Sequence, residues 1–98
     1  MGNLTVQKPG KSKQQLLECL EQIKAKFEDD VKKNDGVLEK ITDGYSMSAE
    51  KKILFMTFWV KSKITAEDGK FELTWDTNAP ESKVEDAMEK VKKILEDC

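Results

Sequence analysis

The chain has 98 residues and contains neither histidine nor arginine. Without histidine there is no Ser-His-Asp or Cys-His centre and no His-ligated metal site. Without arginine there is no planar fork to clamp carboxylates, phosphates or guanine edges. Glycine and proline are also scarce, five and two residues, which argues against a mostly disordered chain. No run approaches the ~18 apolar residues of a membrane-spanning helix. The N-terminal MGNLTVQKPGKSK has no apolar run of signal-peptide length. Met1-Gly2 opens like a myristoylation signal, but Val6 stands where that motif wants Ser or Thr. There are two cysteines, Cys19 and Cys98. A single pair in a chain with no export signal is expected to be two reduced thiols in the cytoplasm.

What is present is charge. Charged residues make up 37% and hydrophobic residues 38%, so a modest core sits inside a very polar surface. The net charge is −2. An acidic chain is a poor nucleic-acid binder, because neutralising the phosphate backbone drives such binding. The length suits one domain, residues 1–98, able to bury a core of its own.

Along the chain, residues 1–11 form a polar arm or a short strand, with Leu4 and Val6 alternating with polar neighbours. Ser12 and Gln15 have capping-box spacing. Leu16, Cys19, Leu20, Ile23 and Phe27 then recur at helical spacing, and Gly36 in Asn34-Asp35-Gly36 suits a left-handed cap. Residues 37–47 read as one irregular strand broken at Gly44, followed by a turn over 48–51. Residues 53–65, ILFMTFWVKSKIT, give the strongest strand signal. Asp68-Gly69 is a favoured two-residue hairpin turn before the strand 71–77. With that turn, Ile64 faces Leu73, Ser62 faces Trp75 and Lys61 faces Asp76, which puts apolar residues on one face and opposite charges across the other. Pro80, then a Ser82/Glu85 capping box, opens a last helix whose stripe runs through Val84, Ala87, Met88, Val91, Ile94 and Leu95.

The expected fold is α+β, a two-layer sandwich. An antiparallel meander of three to four strands carries two amphipathic helices on one face, in the order (β)-α-β-β-β-α. The helices would cover Leu54, Met56, Phe58, Val60, Ile64, Phe71, Leu73 and Trp75. Strict alternation puts Ile53, Phe55 and Trp59 on the opposite face, with Lys61 and Lys63 beside them.

Those five residues are the candidate interaction surface. The three apolar ones are covered by another part of the chain, meet a partner, or stack bases. The stacking option has aromatic residues and lysines on one face, but no RRM core motif and a negative net charge. An uncovered face would meet a second copy across a two-fold axis or a hydrophobic partner, with the lysines at the rim. The alternative site is a small-ligand cavity between helices and sheet, lined by Met56, Phe58, Trp75 and Met88, which an enclosed apolar void would favour. The carboxylate clusters are interleaved with lysines as solvated faces, and Asn34-Asp35-Gly36 does not supply a calcium loop. Cys19 has no base to make it a nucleophile and is expected to pack. No catalytic residue, metal site or cofactor is expected.

The early strand LTVQK, the helix QQLLECLEQIKAKF, the strands FMTFWVKSKI and GKFELTW, and the closing helix KVEDAMEKVKKIL resemble the small polyhydroxyalkanoic acid system (granule-region) proteins. Lys83 to Met88 is similar in character to that family's final helix. The resemblance implies a non-enzymatic bacterial cytoplasmic protein associated with apolar polymer granules, and carries over no catalytic residues.

Overall fold

The computed structural model describes residues 2–33 and 35–98. Five strands and two helices follow in the order β1 (Gly2–Gln7), α1 (Lys13–Lys33), β2 (Val37–Ile41), β3 (Gly44–Ile53), β4 (Met56–Glu67), β5 (Lys70–Thr77) and α2 (Glu81–Glu96). The class is α+β, with one antiparallel sheet in spatial order β1-β5-β4-β3-β2. The sheet therefore has five strands, not three or four. The N-terminal segment is a true edge strand, pairing Leu4 with Leu73 and Val6 with Phe71.

The core holds one sheet face and both helices. Val6, Tyr45, Ile64, Ala66, Phe71 and Leu73 are buried with Leu16, Leu20 and Phe27 of α1 and Leu95 of α2. No charged or polar residue is buried among those described. Ten residues in one cluster are a small core for this length, and the polar composition requires as much.

The Asp68-Gly69 hairpin has the expected register, with Lys61 opposite Asp76, Ser62 opposite Trp75 and Ile64 opposite Leu73. Gly69 takes a φ of 79°, the conformation for which glycine is chosen. The Ser12 capping box also forms. The Ser12 N–H donates to Gln15 Oε1 at 2.9 Å, and the Gln15 N–H donates to Ser12 Oγ at 3.2 Å.

Several local expectations are corrected. Residues 37–47 are not one broken strand but a hairpin, with Thr42-Asp43 between β2 and β3 and Ile41 paired to Gly44. Gly44 is not a bulge. It is pressed on β4 so closely that a Cβ would fall 1.9 Å from the Ile64 carbonyl oxygen. There is no turn over 48–51, because β3 continues to Ile53. The strand expected over 53–65 is cut by a turn at Leu54-Phe55, and Ile53 pairs with Met56. After α1, the left-handed residue is Asp35 with φ 57°, not Gly36. Asn34 lies outside the described residues. At α2, Pro80 is the N-cap and no side chain caps the helix, so Ser82 lies inside the first turn instead of before it.

Cys19 and Cys98 form a disulfide, their Cα atoms 5.9 Å apart, which overturns the expectation of two reduced thiols. The helical stripes carry both cysteines to the same side of the sheet, a proximity that a separation of 79 residues could not disclose. Disulfides persist in oxidising compartments, so the cysteines no longer support a cytoplasmic location.

Candidate functional site

The turn at Leu54-Phe55 changes what the longest apolar segment does. β2 pairs with β3 only as far as Ser48, and β5 pairs with β4 only from Val60 onward. Residues 49–59 therefore leave the sheet as a two-stranded ribbon. At ~3.3 Å per residue, the six steps from Ser48 to Leu54 carry the tip roughly 20 Å beyond the sheet. The molecule is correspondingly long, 47 × 22 × 20 Å.

The apex of this ribbon is apolar. Ile53 is 48% exposed, Leu54 86%, Phe55 99% and Met56 60%. Leu54 holds a φ of 57°, a left-handed conformation that branched side chains rarely adopt. An isolated two-stranded ribbon is marginal in water, so its base needs support. Asn78 supplies it. The Trp59 N–H donates to Asn78 Oδ1 at 2.8 Å, and Asn78 Nδ2 donates to the Thr57 carbonyl at 2.7 Å. Thr77 Oγ1 donates to the Trp59 carbonyl at 2.6 Å. One amide side chain thus continues the pairing of β4 past the end of β5.

The predicted site residues fall in three places. Ile53 and Phe55 are at the apex. The turn reverses the alternation there, so Ile53 shares the helix-side face with Met56 and Phe58 and not the outer face with Trp59. The grouping of Ile53, Phe55 and Trp59 on one sheet face is therefore wrong. Trp59 is on the outer face, half-buried, opposite Glu50. Lys61 and Lys63 lie further back. They line a shallow depression of about 750 Å³ on the outer sheet face with Ser46, Ser48, Thr74 and Asp76.

The expected ligand cavity is divided. Trp75 and Met88 meet in a cleft of about 360 Å³ with Leu4 and Val84. The Trp75 indole lies against Gly2, where a Cβ would fall 2.4 Å from the ring. Met56 and Phe58 have no part in this cleft, because they belong to the ribbon. Leu54 and Met56, expected in the core, are instead solvent-facing, while Phe58 and Val60 are half-buried.

Sequence reasoning missed Leu54 and the clamp at Asn78. Among the described residues, no group of three His, Cys, Asp or Glu side chains is placed to hold a metal ion. No described helix is long and apolar enough to cross a membrane. No family model matches the chain, and no curated protein or solved structure shows significant similarity to it.

Proposed function

We propose that the protein is a non-enzymatic binding module whose contact element is the apex of the β3–β4 ribbon, Ile53 to Met56. The observation that carries this reading is four consecutive apolar residues at a projecting tip, with Phe55 almost wholly exposed. Exposed contiguous apolar surface of this kind marks interaction sites. Burying it would release water from a side chain that contributes about 1.5–3 kcal/mol when fully covered. The occupant is an apolar surface on another body. An apolar polymer granule, which the family resemblance implies, is one such surface, and a second copy of the chain is another. The proposal carries no compartment.

The test uses neutral dodecyl maltoside micelles, which present an apolar surface without charge. Gel filtration should show the wild type on the micelles and a Leu54→Ser/Phe55→Ser variant off them, with unchanged thermal melting of the variant. Equal behaviour of the two proteins would remove the apex as the contact element. The cleft between Trp75 and Met88 supports a second reading, a binder of small amphipathic molecules, since Leu4 and Val84 extend its apolar wall while Glu85, Asp86, Glu89 and Lys92 line the rest. An apolar fluorophore that binds the double variant as well as the wild type would favour it.

A further inference from the structure

Charge is segregated along this chain. Residues 51–66 contain Lys51, Lys52, Lys61 and Lys63 and no carboxylate, a charge of +4. The whole chain is −2, so the other 82 residues carry −6. Of these four lysines, Lys51 and Lys52 lie in the projecting ribbon with Glu50, and Lys61 and Lys63 stand behind it in the sheet, opposite Asp76 and Thr74.

The ribbon register places two of these cations around the apex. Lys52 pairs with Thr57 and Lys51 with Phe58, so successive residues put one lysine on each face of the ribbon. They stand two to four residues behind Leu54 and Phe55, which is roughly 7–13 Å at strand spacing. Apolar side chains of interfacial proteins enter ~5–10 Å below the headgroups, which leaves cations at this distance beside the headgroup phosphates. Glu50, the nearest carboxylate in sequence, is one residue further back than Lys51. A two-stranded ribbon has unpaired edges, which confines it to the interface and excludes the hydrocarbon centre.

We propose that the apex inserts into an anionic lipid–water interface, Leu54 and Phe55 entering the acyl boundary while Lys51 and Lys52 meet the headgroups. This rests on the reading of the apex as the contact element. Self-association through the same tip would bring the Lys51 and Lys52 side chains of two copies together, which like charges oppose. A convex apolar wedge flanked by Lys51 and Lys52 matches a deformable anionic surface, where each lysine near the membrane strengthens binding about fivefold.

The experiment is co-sedimentation with vesicles of phosphatidylcholine alone and of phosphatidylcholine mixed with phosphatidylglycerol. The wild type should partition at least ~10-fold more strongly onto the anionic vesicles, and raising salt from ~0.1 M to ~1 M should remove that preference. Lys51→Gln/Lys52→Gln should lose about 10-fold or more on anionic vesicles only. Leu54→Ser/Phe55→Ser should lose more than ~10-fold on every surface. Circular dichroism melts of the variants verify that each is folded. Equal binding to neutral and anionic vesicles would overturn the lipid assignment while leaving the contact reading intact. Binding to micelles with no binding to either vesicle would do the same. Light scattering that shows a dimer dissolved by Phe55→Ser would assign the apex to a second copy and overturn the lipid assignment. Failure on micelles, vesicles and self-association together would remove both readings.

Discussion

Two hairpin tips lie at opposite ends of β4, and they are built in opposite ways. At the β4–β5 tip the turn is Asp68-Gly69, and everything around it is tied. Asp68 Oδ1 accepts the Lys13 N–H at the start of α1 at 2.8 Å. The Gly69 N–H donates to the Lys11 carbonyl and its own carbonyl accepts the Lys8 N–H, both at 2.8 Å. Lys70 reaches Glu67 at 3.4 Å and Glu72 at 3.1 Å. Lys13 pairs with Asp43 of the neighbouring β2–β3 turn at 2.6 Å. At the β3–β4 tip a leucine occupies the left-handed position, and the phenylalanine beside it is 99% exposed. The first tip meets its bonding needs within the fold. The second presents apolar surface that the described chain leaves uncovered.

Equal substitutions at the two ends should therefore give unequal results. Phe71→Ala, just after the tied tip in the core, should cost about 3–5 kcal/mol in urea unfolding. Phe55→Ala should change stability by less than ~0.5 kcal/mol, as surface substitutions do. Equal costs would erase the distinction.

The disulfide belongs with the tied part, joining α1 to the last residue of the chain. Closing a loop with a separation of 79 residues restricts the unfolded chain, and Cys98→Ser should lose about 2–4 kcal/mol in the same assay. Micelle binding by the apex should survive the loss. At the tied turn, Asp68→Ala removes the acceptor at the α1 N-terminus and should cost ~1 kcal/mol.

At the free tip the sign reverses. Leu54→Gly relieves the left-handed backbone and should raise stability by up to ~1 kcal/mol while weakening micelle binding. A loss of stability would mean that the leucine side chain packs within the fold.

The smallest effect is on pH. Hydrogen bonds to Asp43 and to Glu72 and Glu67 hold the Lys13 and Lys70 ammonium groups above their usual 10.5. Their contribution is present below that value and is lost as pH rises through the raised pKa. Lys32 holds the Glu28 carboxyl below its usual 4.5, so that contribution is present above 4.5 and lost as pH falls through the depressed pKa. These groups are exposed, so the melting temperature should stay flat through neutral pH and decline only slightly at the extremes, less so in high salt.

The same contrast explains what could be read from the sequence. Asp68-Gly69 announces itself through residue types with one local use, and the register followed; the Ser12/Gln15 box also formed, although the same pattern at Ser82/Glu85 did not. Leu54-Phe55 carries no Gly, Asn, Asp or Pro, so alternation ran straight through it and put Ile53 on the wrong face. That single turn accounts for the misplaced Ile53, Leu54 and Met56, and for dividing Met56 and Phe58 from Trp75 and Met88. The candidate apolar segment was legible as composition, but its projection was not, because projection depends on where β2 and β5 stop. The disulfide was hidden for a similar reason: sequence spacing does not fix distance between two helices.

Amide hydrogen exchange with and without dodecyl maltoside micelles measures the free tip and the core in one sample. The amides of residues 53–56 should exchange rapidly in the free protein and slow down when micelles are added, while those of 64–73 stay slow throughout. Protection at 53–56 matching that at 64–73 in the free protein would contradict the account, because the apex would then already be covered.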